Sequence, residues 1–185
     1  PSLGSYVLLC EVVSDLPLCP DAPLAPACGD CDACLGACPT GALRRDGLVD
    51  CRLCASYLTI ERRGAIDERH RAGMGERLFG CDACQEACPH NRGVPAGEQA
   101  FRGPAAPAPL GEVLAWTQAD WDAATRGRAT RRATCEMFLR NACIAAGNGS
   151  DAGLVGPLRR LAERAPHLAD VAGWAARRLG GGNGV

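Results

Sequence analysis

The sequence predicts a mainly α-helical protein in two parts, a small cysteine-bearing module followed by a tail of stacked helices. Three observations predict it. Two nearly identical loops, "CDACLGACP" at 31–39 and "CDACQEACP" at 81–89, lie in the first half of the chain. Beyond about residue 113, apolar residues recur at helical rather than strand period. Aromatics make up only 4% of 185 residues while cysteines number 13, so the core is thin and the thiols are its natural reinforcement.

In chain order, "GSYVLLCEVV" (4–13) reads as a buried strand of β-branched and apolar residues. A strand needs neighbours, and no other segment reads clearly as one, so the chain reads as the latter part of something longer. "SDLPLCPDAPLAPA" (14–27) is a proline-rich connector. Most of the cysteines follow, between residues 28 and 91. "RGVPAGEQAFRGPAAPAPLG" (92–111) has linker composition. After it, Cys135, Phe138, Leu139, Ala142, Cys143 and Ala146 form one helical stripe, with Gly147 and Asn148 as its stop. Leu154, Leu158, Leu161, Ala162 and Ala165 form a second stripe, closed by Pro166. Leu168, Val171, Ala172, Ala175 and Leu179 form a third, closed by the Gly180 run. Short helix pairs of this kind resemble HEAT-like repeats, which bury their faces only against a neighbour, so the tail is expected to dock on the cysteine module. The expected division is 1–20 exit strand, 21–95 cysteine domain, 96–112 linker and 113–180 helical tail.

The formal net charge of −1 provides no global field for nucleic acid or an anionic membrane, so any such contact must be local. All 20 basic residues are arginine, whose planar fork suits phosphate. No apolar run approaches the roughly 20 residues of a membrane span, and no secretory signal precedes the cysteines. The expectation is a soluble, cytoplasmic monomer.

"CGDCDACLGACP" places thiols at Cys28, Cys31, Cys34 and Cys38, the C-x2-C-x2-C-x3-C-P run of bacterial ferredoxins. Three thiolates on one tight turn wrap one face of a 4Fe–4S cube, and the fourth, a turn further on, reaches the other cube. With the same exchange in the second loop, Cys88 joins Cys28, Cys31 and Cys34, and Cys38 joins Cys81 and Cys84. The second copy has Leu78 where the first has Cys28, so one thiolate is missing, and Cys51 and Cys54 both lie between the loops. Zinc is the usual alternative for paired C-x2-C motifs, but it has no use for the third cysteine and the following C-P. Disulfides are disfavoured without a secretory context. Cys10, Cys19, Cys135 and Cys143 read as small buried hydrophobes.

The ordered set "CPTGAL", "CRLCASYLTIERRGAID", "MGERLFGCDACQEACPHN" and "FLRNACIAAGN" closely resembles the epoxyqueuosine reductase family, in its C-terminal portion. The resemblance implies a two-cluster ferredoxin-like domain, a HEAT-like tail and, at 4–13, the last strand of an α/β corrin-binding domain. It implies that Cys54, which stands just before "ASYLTIE", is the missing ligand, leaving Cys51 spare. It further implies reduction of the epoxide of epoxyqueuosine in a tRNA anticodon to queuosine. Two 4Fe–4S clusters would carry electrons from an external low-potential donor to cobalamin. Ser56 and Tyr57 are the implied cobalamin contacts. The family's presumed acid lies in a domain this chain lacks, so no catalytic residue is expected here and the chain alone is expected to be inactive. Where the family commonly has tryptophan after the final C-P, this sequence has His90, readable as a donor to a cluster sulfide or as a solvent-facing substitution.

Arg128, Arg131, Arg132 and Arg140 read as a basic stripe opposite the apolar face of the helix from about 130. With Arg62 and Arg63 they are the candidate RNA contacts, set against the plainer reading of a solvated face in which Glu136 pairs with Arg140. Two other functions fit the cysteines: a stand-alone two-cluster ferredoxin carrier and a relative of the cobalamin-dependent reductive dehalogenases. The first leaves "SYLTIE" and the helical tail without a use; members of the second usually lack such a tail.

Overall fold

The computed structural model describes residues 3–25, 27–94, 97 and 108–181. Among them the chain is mainly helical. The cysteine module holds four short helices: α1 (Ala33–Ala37), α2 (Ala55–Ile60), α3 (Glu68–Met74) and α4 (Ala83–Glu86). The tail holds α5 (Leu110–Val113), α6 (Gln118–Thr125), α7 (Cys135–Asn148), α8 (Val155–Arg164) and α9 (Ala169–Gly180). β-structure among the described residues is a single antiparallel bridge, Leu43 to Val49, closing the turn at Gly47.

The strand expected at 4–13 does not form. Leu8, Leu9, Val12 and Val13 are 87%, 92%, 90% and 96% exposed, and the segment runs as irregular chain. Its side chains have strand character, but a strand is held by a neighbour's backbone, and no described segment pairs with it. Cys10 and Cys19 are therefore exposed rather than buried. Most of the linker expected at 96–112 lies outside the described residues, and α5 begins before its expected end.

The tail helices are started by local chemistry. Thr117 and Asp120 form a reciprocal capping box at α6, the Thr117 hydroxyl accepting from Asp120 N–H and the Asp120 carboxylate taking the Thr117 N–H at 2.8 Å. Those donors hold the Asp120 carboxyl below its usual range. Thr134 caps α7 by accepting from Met137 N–H at 3.2 Å. The helix thus begins at Cys135 and not near 130; residues 129–132 are a separate 3-10 turn.

The predicted stripes are the core. Ala142, Cys143, Leu158, Leu161 and Ala175 are fully buried, and each buried leucine contributes about 1.5–3 kcal/mol. Helix α9 packs on both α7 and α8, and α7 also packs on α2 and α3, so the tail docks on the cysteine module as expected. Trp116 stacks on Phe138 at 5.8 Å between ring centroids, and Trp121 meets the same ring at 4.8 Å. Gly147 does not stop α7. It lies inside the helix, where a Cβ would stand 2.5 Å from Trp174 Cζ3 and 2.9 Å from Ala175 Cα; the helix ends at Asn148, as expected, with Gly149 as its C-cap.

Candidate metal centre

The two cysteine loops fold as structural copies. Asp32 O accepts from Leu35 N at 2.9 Å, as Asp82 O accepts from Gln85 N at 2.8 Å. Cys38 N donates to Leu35 O and Cys88 N to Gln85 O; Gly41 N donates to Cys38 O and Asn91 N to Cys88 O. Cys38 and Cys88 share the same extended backbone, with φ of −68° and −69°. Cys34 and Cys84 sit inside α1 and α4, and these two helices pack against each other, so the loops face across a common space.

The surroundings of Cys38 favour its thiolate form. Burial raises its pKa, but the backbone N–H groups of Thr40, Leu43 and Ala42 with the Thr40 hydroxyl outweigh it and leave the thiol lowered. Ala42 N stands 3.2 Å from Cys38 Sγ. Cys84 is raised, by burial first and then by the charges of Cys81 and Cys38, so a first-loop thiol is an electrostatic neighbour of the second loop. Cys54 is the half-buried N-terminal cap of α2, whereas Cys51 is exposed in the preceding turn. Cys135 and Cys143 are buried in the tail, as expected, and burial pushes Cys143 up to about 12.

Among the described residues, no three His, Cys, Asp or Glu side chains converge on a point that one ion could occupy. Tetrahedral zinc needs its thiolates about 2.3 Å from one centre. A four-iron cube presents a metal at each liganding corner, so its thiolates stand farther apart. The number and sequence spacing of these cysteines, with the backbone donors on Cys38, fit the cube.

Helix α7 holds this module from behind with polar side chains. Asn141, fully buried, donates through Nδ2 to Thr59 O at 2.9 Å and Leu78 O at 2.8 Å. Asn148 Nδ2 donates to Arg71 O and Gly75 O, both at 2.8 Å. The Thr59 hydroxyl, also buried, donates to Ala55 O and accepts from Gly80 N at 3.0 Å, tying α2 to the residue before Cys81. The two asparagines thereby satisfy the carbonyls of Thr59, Arg71 and Gly75, in the last turns of α2 and α3 or at the cap, which lack an intrahelical donor. In the sequence Asn148 reads only as a helix stop, and Asn141 and Thr59 carry no such signal of their own. The available signal was two asparagines seven residues apart, on one side of an otherwise apolar helix.

Arg140 belongs to this set rather than to a basic surface stripe. It is 3% exposed, and its guanidinium donates to Leu58 O, Arg62 O, Gly64 O and Asn141 Oδ1. Burial lowers its pKa to about 10. No fork remains for phosphate. Glu136 lies 3.9 Å from His167 rather than forming an ion pair with Arg140. The other candidates are exposed: Arg62 and Arg63 follow α2, Arg131 pairs with Asp122 at 2.9 Å, and Arg132 pairs with Glu61. Ser56 and Tyr57 are half-buried in the first turn of α2. Two surface clefts of about 210 and 220 Å³ are lined by other residues, so neither brings Ser56 and Tyr57 to a corrin. His90 is half-buried, and its Nε2 lies 3.2 Å from Ala27 O. No helix among the described residues is long and apolar enough to cross a membrane.

Mirrored ferredoxin-type loops braced by a helical tail define a double-cluster iron–sulfur protein, and residues 27–91 match the family model described as "4Fe-4S double cluster binding domain". Over most of its length the chain is similar to the epoxyqueuosine reductases. It is 44% identical over 148 residues to epoxyqueuosine reductase of Escherichia coli (strain K12), covering 78% of this chain and 39% of that one. To the Shigella dysenteriae protein of that name it is 40% identical over 176 residues, covering 93% and 46%. Among solved structures it is similar to an epoxyqueuosine reductase with a tRNA-Tyr epoxyqueuosine-modified stem loop, at a TM-score of 0.81 and 31% identity over 89% of this chain and 45% of that one. It is also similar to the Bacillus subtilis epoxyqueuosine reductase, with a TM-score of 0.76, 30% identity and coverage of 88% and 45%. The chain spans less than half the length of the relatives it matches.

Proposed function

We propose that this chain is the electron-delivering and RNA-facing portion of an epoxyqueuosine reductase, which converts epoxyqueuosine in a tRNA anticodon to queuosine. The observation that carries the reading is the pair of mirrored cysteine loops facing each other through α1 and α4. Cys28, Cys31, Cys34 and Cys88 hold one cube; Cys38, Cys54, Cys81 and Cys84 hold the other. The packing of α1 on α4, which carry the two loops, supports the exchange between them. Cys54 is favoured over Cys51 because it is half-buried and caps α2, directly ahead of the segment that the family resemblance marks.

Bound clusters supply one-electron transfer. The chain's own part is to hold two of them within a single module, with backbone N–H groups on at least one thiolate, and to present this module on a rigid helical platform. Residues 21–95 form the cluster domain and 113–180 a HEAT-like tail; the apolar segment 4–13, irregular by itself, pairs as a strand only against a corrin-binding domain. Ser56 and Tyr57 approach cobalamin only where that domain completes the pocket. Arg62, Arg63, Arg131 and Arg132 remain the candidates for the RNA backbone, supported by the stem loop in a structural neighbour. Each phosphate they neutralise steepens the salt dependence of binding by roughly one unit of log slope.

The test is the modification state of tRNA in a strain of the source organism lacking the full-length gene. Epoxyqueuosine accumulates, and the wild-type gene, but not one carrying Cys54→Ala, restores queuosine. Unchanged queuosine in the deletion strain overturns the reading.

A further inference from the structure

We propose that His90 is a positioning residue for the first cluster, a latch that fixes the Cys28 side of the site against the Cys88 side. The role rests on the ligand assignment above. Three thiolates of that cluster come from one loop, where local bonds such as Cys31 N to Cys28 O at 3.1 Å set their spacing. The fourth, Cys88, arrives from the other loop. Cys28 is also the least anchored of the four, because it is exposed and ends a long irregular segment.

The 3-10 turn Pro89–Asn91, which directly follows Cys88, is where this slack is taken up. His90 Nε2 stands 3.2 Å from the carbonyl of Ala27, the residue before Cys28. The partner is a carbonyl oxygen, so Nε2 carries the hydrogen and donates. The bond therefore joins the residue entering one ligand to the residue leaving another, 63 positions apart. Asn91 does the same for an earlier segment. Its Oδ1 accepts from Ser5 N at 2.6 Å, and its Nδ2 donates to Ser5 Oγ at 2.8 Å and to Gln85 O at 2.6 Å. Gly4 makes the approach possible: at φ of 71° its α-carbon faces Asn91 Oδ1, with Val94 Cγ1 3.1 Å from where a Cβ would stand. Two consecutive side chains of one turn thus gather three stretches of chain around Cys88. This is support behind the ligands, of the kind that sets how firmly they are held.

The experiment uses the full-length protein, reconstituted without oxygen, as wild type, His90→Ala and His90→Gln. Iron release to a chelator is followed together with the separate spectroscopic signals of the two clusters. Cys28→Ala and Cys88→Ala identify the first cluster's signal. His90→Ala is expected to release iron from that cluster about fivefold faster, the scale of one lost hydrogen bond, and to leave the other cluster unchanged. His90→Gln, which keeps an N–H donor, is expected to restore the wild-type rate. Unchanged release in His90→Ala, equal acceleration of both clusters, or no rescue by glutamine overturns the latch. If Cys28→Ala and Cys88→Ala abolish different signals, the ligand assignment itself falls, and the latch with it.

Discussion

The guanidinium of Arg140 donates to the carbonyl of Leu58 at 2.8 Å, joining the middle of α7 to the fourth residue of α2 from 82 positions away. The same side chain reaches Arg62 O at 2.7 Å and Gly64 O at 2.6 Å. Removing it leaves three carbonyls at the end of α2 without their donor, so Arg140→Ala is expected to destabilise the protein by roughly 3 kcal/mol, a fall of about 6 to 12 °C in Tm. Arg140→Lys recovers little, since one ammonium cannot replace the fork. A thermal melt of the variant within 2 °C of wild type, taken as about the scale of one weak contact, argues against this role.

Gly147 makes a second tight contact, against Trp174 and the backbone of Ala175. Gly147→Ala should push α9 away from α7 and cost about 2 kcal/mol, although alanine is the better helix former. Gly180, with open space around it, provides the control: Gly180→Ala should leave chemical denaturation unchanged or slightly improved. Equal midpoints for all three proteins would contradict the packing.

The choice between Cys54 and Cys51 is decided by iron content. Reconstituted protein should carry roughly eight irons per chain, and Cys54→Ala roughly four, with one cluster's signal gone. Cys51→Ala should keep both. Identical results for the two variants would remove the assignment.

Asp50 carries the clearest pH signature. Arg52 Nη2 and Nε grip its carboxylate at 2.6 and 2.9 Å, and its pKa is lowered from 3.8 to about 2. A depressed carboxyl contributes stability that is present above 3.8 and is lost as pH falls through about 2. The pair is exposed, so the effect is small. The Asp50 carboxyl resonance should titrate near 2 in wild type and move toward 3.8 in Arg52→Ala; coincident curves would mean that the pair does not persist in solution.

The cysteine loops were legible because their spacing is a chemical requirement, and the apolar stripes of α7, α8 and α9 because burial follows helical period. Arg140 was misread for the same reason: a polar residue recurring every four positions looks like a solvent face, and only the fold shows the carbonyls of α2 waiting beneath it. The segment 4–13 failed differently. Tyr6, Val7, Leu8 and Val12 specify strand chemistry, but residue type carries no record of which backbone lies alongside. The bracing role of Asn141 and of Asn148, the latter read only as a helix stop, was not legible because their acceptors, Thr59, Leu78, Arg71 and Gly75, are distant in sequence.

The grip of α7 on the cysteine module also bears on how the protein is assembled. None of the bonds made by Arg140, Asn141 and Asn148 runs through a sulfur, so the scaffold around the ligands can be completed during synthesis, before any metal arrives. A scaffold of this kind permits iron to be loaded after folding, unlike small metal-folded modules, where the ion must come first.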